Sequence, residues 1–368
     1  MTVSEIPETQ LAQVLRSFNS PYKLETVPVD LKLHPHDLLI KVGAAGYCHT
    51  DAVYSSGAMK QVLPIINSHE FVGTIVARGE KAANVRHLQV GSRVGVPGRI
   101  FRPCGTCSEC ANNEEDEPGY SVYCPFGGSL GLSTNGGFQE YALADSRQVV
   151  PLPDELSDVE AAPLMCAGLT IYSAIKKIGL RVGQSLAIVG CGGGLGHLGL
   201  QYATKLGLEV IGIDIHDAAI ELSKSLYTGA QIFDARTHTP QAVLDIVYGP
   251  VAKAKISPER GVDAVIILPE VQEAFEYGIS LLHDHATLCL VSFPKDGFHL
   301  DARSVVYRDL KVIGSLIGTT RTAKEMVQFS VDNYVRAKVE TFALKDLNIL
   351  VEEYHSGRAG KFVIDFSL

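Results

Sequence analysis

Cys104, Cys107 and Cys110 stand at two-residue gaps, and Cys124 follows fourteen positions later. Thiols spaced this way can wrap one tetrahedral Zn²⁺ and fill all four of its positions, which leaves nothing open for a substrate and makes the site structural. A set of free thiols is the alternative reading, but so close a run does not arise readily from eight cysteines in 368 residues. A second set is dispersed: Cys48 in GYCHTD, His69 in NSHEF and Cys166 in PLMCAG. Two thiolates and one neutral imidazole balance the charge of Zn²⁺ and keep its fourth position for water or a substrate oxygen, the pattern of a catalytic site. Taken singly, each is more often a small buried hydrophobe or an ordinary histidine than a ligand; a neighbouring redox cofactor is what joins them into a centre.

The segment LAIVGCGGGLG, residues 186–196, offers that cofactor a place. An apolar strand runs into Gly190, Gly192, Gly193, Gly194, Leu195 and Gly196, and HLGLQYATKLG continues as an amphipathic helix. Glycines allow the tight turn and the close approach of backbone N–H groups to a pyrophosphate, while the helix start adds its positive dipole end. The spacing is G-x-G-x-x-x-G, one residue longer than the strict fingerprint. The next strand, EVIGID, ends in Asp214 about twenty residues past the turn. A carboxylate there accepts hydrogen bonds from ribose hydroxyls and repels the extra phosphate of NADP, so NAD is the expected cofactor. A glycine-rich turn with no ligand is the alternative.

Two groups of elements must position these residues. Up to about residue 150 the chain reads as short β segments broken by Gly and Pro: LLIKVGAAG, FVGTIVARG, GSRVGVPG, FQEYALAD and QVVPLP. From about residue 158 it alternates, with VEAAPLMCAGLTIYSAIKK and LGHLGLQYATKLG helical and SLAIVG, EVIGID, GVDAVIILP and ATLCLVSF strand-like. Such alternation predicts a parallel sheet covered by helices on both faces. KVIGSLIG fits either a further strand of that sheet or the return to the first lobe, and GKFVIDF is again β-like. The expectation is a β-rich, barrel-like lobe made from both chain ends, with a nucleotide domain inserted. The patch NNEEDEP at 112–118 reads as a solvated acidic loop.

Length and charge set the outer limits. A chain of 368 residues, 46% hydrophobic and 20% charged, holds enough apolar material for two cores and excludes disorder. Its net charge of −9 has the wrong sign for phosphate backbones or anionic lipid, so neither nucleic acid nor membrane is an expected partner. The opening MTVSEIPETQLAQV lacks a basic segment leading into an apolar run, and no apolar run is long enough to cross a bilayer, so the expected location is the cytoplasm.

Over essentially its whole length the chain resembles the zinc-dependent alcohol dehydrogenases of the medium-chain dehydrogenase/reductase superfamily, in particular the tetrameric microbial and fungal ones. The likeness is carried by GYCHTD, SHEFVG, the four cysteines, NGGFQEYA, APLMCAGLTIYSA, VGCGGGLGHLGLQYA and GKFVIDF. It implies an α/β fold: a GroES-like β-barrel catalytic domain from residues 1–167 and 310–368, and a Rossmann-type doubly wound NAD-binding domain from 168–309. It also implies two zinc ions per chain, hydride exchange between a small-molecule alcohol or carbonyl and NAD(H), and a homotetramer. Residue by residue, Cys48, His69 and Cys166 would hold catalytic zinc, with Glu70 behind them and Asp51 steadying the imidazole. Thr50 would hydrogen-bond the substrate hydroxyl, His49 and Lys361 would contact the pyrophosphate, and Thr170 would lie along the nicotinamide.

The departures from the family are specific. The histidine that ends the usual proton relay is Val53, the usual Gly-His-Glu is Ser68-His69-Glu70 followed by Phe71, and Lys361 replaces an arginine. Tryptophans that narrow the ethanol pocket of relatives are missing from a chain with no Trp, Met59 and Arg99 standing in their places, which implies a substrate bulkier than ethanol. The fourth cysteine arrives six residues late, after the segment holding NNEEDEP. Val53 also suits a second reading, NAD(P)H-dependent reduction of a conjugated C=C or C=N bond, where no hydroxyl proton must leave. A third is a zinc and dinucleotide binder without turnover.

Overall fold

The computed structural model of the protein describes residues 6–111, 121–249 and 260–368. The NNEEDEP loop and the first five residues of the opening segment lie outside the described residues. The chain divides into two compact units, one from Met1–Leu169 with Ile317–Leu368 and one from Thr170–Leu316.

The second unit is built on a six-stranded parallel sheet, in the order Gln231–Asp234, Glu209–Asp214, Ser185–Val189, Val262–Ile267, Leu282–Leu290, Lys311–Gly314. This is the doubly wound order, in which the chain starts in the middle, walks to one edge and then returns to fill the other. Ser185–Val189 is buried at every position, as a strand covered on both faces must be. Val189, Ile211, Val265 and Ile267 share one core cluster with Phe275 of the helix Gln272–Leu281. KVIGSLIG supplies the sixth strand, Lys311–Gly314 pairing with Leu282–Leu290.

The first unit holds a seven-stranded mixed sheet centred on the eleven-residue strand Asp37–Tyr47. Along one edge that strand pairs with Glu70–Arg78. Its other edge is shared, residues 37–41 pairing with Tyr141–Asp145 and residues 44–47 with Lys361–Asp365. A two-stranded sheet, Thr9–Val14 with Lys23–Pro28, was not foreseen from the sequence. Among the described residues no helix is long and apolar enough to cross a membrane.

One segment differs from its sequence reading. VEAAPLMCAGLTIYSAIKK is not one helix but Asp158–Ala161, a 3₁₀ turn Ala162–Met165, and Ala167–Ile178. Pro163 brings no N–H to a helical ladder, and Cys166 sits at φ −125°, ψ −71°, outside helical geometry. The break hands the Cys166 side chain to the mixed sheet instead of to a helix face.

Candidate active site

Three strand ends meet where the sulfurs and the imidazole gather. Cys48 follows directly on Asp37–Tyr47, His69 precedes Glu70–Arg78, and Lys361 opens Lys361–Asp365. The antiparallel registers Gly46↔Glu70 and Tyr47↔Phe362 bring these ends side by side, although the residues lie far apart in sequence.

Cys48 Sγ lies 3.8 Å from Cys166 Sγ, and His69 Nε2 lies 3.2 Å from Cys166 Sγ. One ligand atom each from Cys48, His69, Glu70 and Cys166 fall within 4.8 Å of one another. Asp51 organises the group from behind: its Oδ1 accepts from His69 Nδ1 at 3.3 Å and from the Ser68 N–H at 3.1 Å, and its Oδ2 accepts from the Cys48 N–H at 2.9 Å. A carboxylate can only accept, so Nδ1 carries a proton and Nε2 is the nitrogen turned toward the sulfurs.

The charges are strongly coupled. The hydrogen bond to Cys166 holds the Cys48 thiol well below its usual range, and the same bond together with burial pushes Cys166 well above it. Burial opposes a charge on the His69 ring, but the Asp51 carboxylate prevails and raises it. Burial lifts the Glu70 carboxyl to about 7 despite the ammonium of Lys361 beside it. Lys361 Nζ is 2.5 Å from Glu70 Oε1 and donates to the Tyr47 carbonyl at 3.1 Å, both side chains being buried. Burial works against its charge too, and Glu70 more than offsets this.

This donor set fits a zinc ion. Two sulfurs and an imidazole nitrogen converge with no disulfide between the sulfurs, and Glu70 Oε2 is buried without a hydrogen-bond partner. A divalent cation balances two thiolates, while Lys361 balances Glu70. Thr50 Oγ1 stands 3.9 Å from Cys48 Sγ, at the edge of the group.

Ser68 holds a left-handed backbone, φ 73°. For a residue with a Cβ this costs about 1–2 kcal/mol. Its Oγ donates to the Gly46 carbonyl at 3.0 Å in a buried setting, which returns about 0.5–1.5 kcal/mol. Ser68→Gly relieves the strain and loses the bond, so we expect unfolding free energy within about 1 kcal/mol of the parent. Ser68→Ala keeps the strain and loses the bond, and chemical denaturation should find it the less stable of the two.

The four cysteines form a separate cluster, with all Sγ atoms within 4.8 Å of one another. Cys124 is part of it in spite of its late position, accepting from the Cys104 N–H at 3.4 Å. Cys104 Sγ accepts from the backbone N–H groups of Thr106 at 3.4 Å and Cys107 at 3.3 Å, and these bonds lower its thiol to about 6. Burial pushes Cys110 the other way, to about 12. Four sulfurs facing one point suit a closed tetrahedral zinc site.

In the second unit the glycine turn and Asp214 are joined. Gly190 has φ 84°, a conformation that a residue with a Cβ resists, and a Cβ on Gly192 or Gly196 would collide with backbone. Asp214 Oδ2 accepts from the Gly192 N–H at 3.0 Å, and Oδ1 accepts from the N–H groups of Ile215 at 2.8 Å and His216 at 3.2 Å. Gly193, Gly194 and Leu195 lead into the helix Gly196–Lys205, the arrangement that presents N–H groups to a pyrophosphate. Thr170 is buried in Ala167–Ile178.

The two residues read as pyrophosphate contacts have different surroundings. His49 is exposed, with Nδ1 2.8 Å from the Tyr354 hydroxyl, whereas Lys361 is turned inward onto Glu70. Arg99 is buried and donates to Thr320 Oγ1 at 2.6 Å, and Met59 is about one-third exposed at 36%. The Glu70–Lys361 pair was not visible in the sequence; a lysine opening a β segment gives no sign of where its ammonium goes.

Comparison with known proteins agrees with this geometry. A family model described as alcohol dehydrogenase GroES-like domain matches residues 34–154, and one described as zinc-binding dehydrogenase matches residues 194–332. An alcohol dehydrogenase of Geobacillus stearothermophilus is 35% identical over 356 residues, covering 96% of this chain and 98% of that one. Alcohol dehydrogenase 1 of Neurospora crassa is 31% identical over 367 residues, covering 99% of each. The crystal structure of the alcohol dehydrogenase from Aeropyrum pernix superposes with a TM-score of 0.83 at 28% identity, over 96% of this chain and 99% of that one. With two zinc-ready donor sets, a dinucleotide turn and relatives matching end to end, the chain belongs to the zinc-dependent alcohol dehydrogenase family of the medium-chain dehydrogenase/reductase superfamily.

Proposed function

We propose that Cys48, His69 and Cys166 hold the catalytic zinc of an NAD-dependent alcohol dehydrogenase, that Cys104, Cys107, Cys110 and Cys124 hold a structural one, and that Asp214 selects NAD. The observation that carries the reading is the convergence of two sulfurs and an Asp51-backed imidazole within 4.8 Å. When bound, zinc supplies Lewis acidity at the substrate oxygen and NAD supplies the hydride acceptor.

The chain's own residues do the rest. Asp51 fixes the His69 ring and both flanking backbones, so the ligand atoms are oriented before anything binds. Thr50 takes the substrate hydroxyl proton at Oγ1. Val53 offers no acceptor further on, so the proton passes to water. The buried Glu70–Lys361 pair keeps the floor of the site neutral. Gly190 to Gly196 bind the pyrophosphate, His49 offers it a ring N–H, Lys361 stays committed to Glu70, and Thr170 borders the nicotinamide.

We place the substrate among alcohols bulkier than ethanol, supported by the flexible Met59 at a position where the family resemblance implies a tryptophan. We further place the protein in the cytoplasm as a homotetramer; the edge strand Lys311–Gly314 and the exposed Val306, Tyr307 and Leu316 support assembly.

The test pairs an aldehyde with an enal, each supplied with NADH. Reduction of the aldehyde, and oxidation of larger primary or secondary alcohols with higher kcat/KM than ethanol, is the expected outcome. Saturation of the enal double bond with the aldehyde untouched would transfer the assignment to the C=C reductase reading that Val53 suggests.

A further inference from the structure

Beside Asp214 lies a cation that the cofactor reading does not use. Asp214 and Asp234 occupy matching positions on adjacent parallel strands, so the chain leaves the sheet at the same edge after each. The Ala235 N–H donates to the Asp214 carbonyl at 3.0 Å, which ties the two exits together. Arg236 then folds back on Asp234, with Nε 2.9 Å from Oδ1 and Nη2 2.8 Å from Oδ2. Its Nη2 also bonds Asp217 Oδ1, at the start of the helix Asp217–Ser225 and three residues past Asp214.

An arginine beside the ribose-binding acid is the group that accommodates a 2′-phosphate in NADP-binding proteins, because its planar fork matches phosphate oxygens. Here the Nε and Nη2 edge of the fork is held by two carboxylates. A 2′-phosphate would have to displace both, and would then face those released acids as well as Asp214, so the clamp acts by repulsion as much as by occupancy.

We propose that Asp217 and Asp234 are specificity residues for the dinucleotide: by clamping Arg236 they withhold it from a 2′-phosphate, and selection of NAD rests on this clamp together with Asp214. The inference depends on reading the glycine turn as a dinucleotide site. Arg236 and Asp217 are both well exposed, so the clamp contributes little to folding and can be altered without dismantling the sheet.

The experiment is isothermal titration calorimetry of the full-length protein with two probes, adenosine 5′-monophosphate and adenosine 2′,5′-bisphosphate. Asp214→Asn keeps an acceptor for the Gly192 N–H and removes the charge. Alone it should improve bisphosphate binding only about threefold, and adding Asp217→Asn and Asp234→Asn should improve it about tenfold or more beyond that. Adding Arg236→Gln to the triple variant should erase the second gain while monophosphate affinity stays constant. A gain that survives loss of Arg236, or a full gain from Asp214→Asn alone, overturns the proposal. Failure of the parent protein to bind adenosine 5′-monophosphate or NADH overturns instead the dinucleotide reading beneath it, so the two failures are distinguishable.

Discussion

Cys48→Ala or His69→Ala lowers kcat/KM for alcohol oxidation by at least about 10³-fold and leaves NADH affinity within about twofold of the parent. The size follows from what the ligands hold. Lewis acidity at the reacting oxygen provides several kcal/mol of charge stabilisation, and each 1.4 kcal/mol is about tenfold in rate. Removing one of three donors exposes the ion to water and chelators, and the other two donors alone do not define a tetrahedral site. NADH affinity is spared because the glycine turn and Asp214 belong to the other compact unit. Zinc content should fall from about two ions per chain to about one, the cysteine cluster keeping its own. Turnover close to the parent value in either variant would refute the ligand assignment.

The second large effect concerns stability. In Lys361→Met the Glu70 carboxylate loses its cation in a site where both side chains are buried. Breaking a buried pair from one side typically costs about 3–5 kcal/mol. Glu70 can escape part of this by taking a proton, which holds the deficit of Lys361→Met against the double variant Glu70→Gln/Lys361→Met at pH 7 to about 3–4 kcal/mol, the cost of protonating an ordinary glutamate there. The sign with pH follows. Glu70 already stands raised to about 7 with Lys361 present, and losing the ammonium raises it further. A carboxyl whose folded pKa lies above its unfolded value destabilises the fold increasingly as pH rises above the unfolded value. The deficit of Lys361→Met against the double variant Glu70→Gln/Lys361→Met should therefore be smallest near pH 4.5 and grow toward neutrality, a comparison that urea denaturation can make. Equal stability of the two variants at pH 7 would mean that Glu70 is not buried as described.

Much of this was legible in the sequence, for physical reasons that differ from residue to residue. The cysteine cluster and the glycine turn are local: their spacing within a few residues already encodes the geometry, so Cys104, Cys107 and Cys110, or Gly190 and Gly192, can be read without a fold. Cys48, His69 and Cys166 are brought together by antiparallel register and by a helix broken at Pro163, and spacing alone says nothing of either. The family resemblance supplied what spacing could not. Neither route showed that Lys361 turns inward to Glu70, that Ser68 takes a left-handed backbone, or that Arg236 is clamped beside Asp214. These depend on side-chain direction and loop closure, which leave no period in the sequence.

Anomalous scattering at the zinc edge, recorded from crystals of fully active enzyme grown with NAD, locates the metals beside their ligands. Two peaks per chain are expected, one within about 2.0–2.3 Å of Cys48 Sγ, Cys166 Sγ and His69 Nε2 and one at the centre of the four clustered cysteines. An active crystal with no peak beside Cys48, His69 and Cys166 would contradict the catalytic zinc assignment.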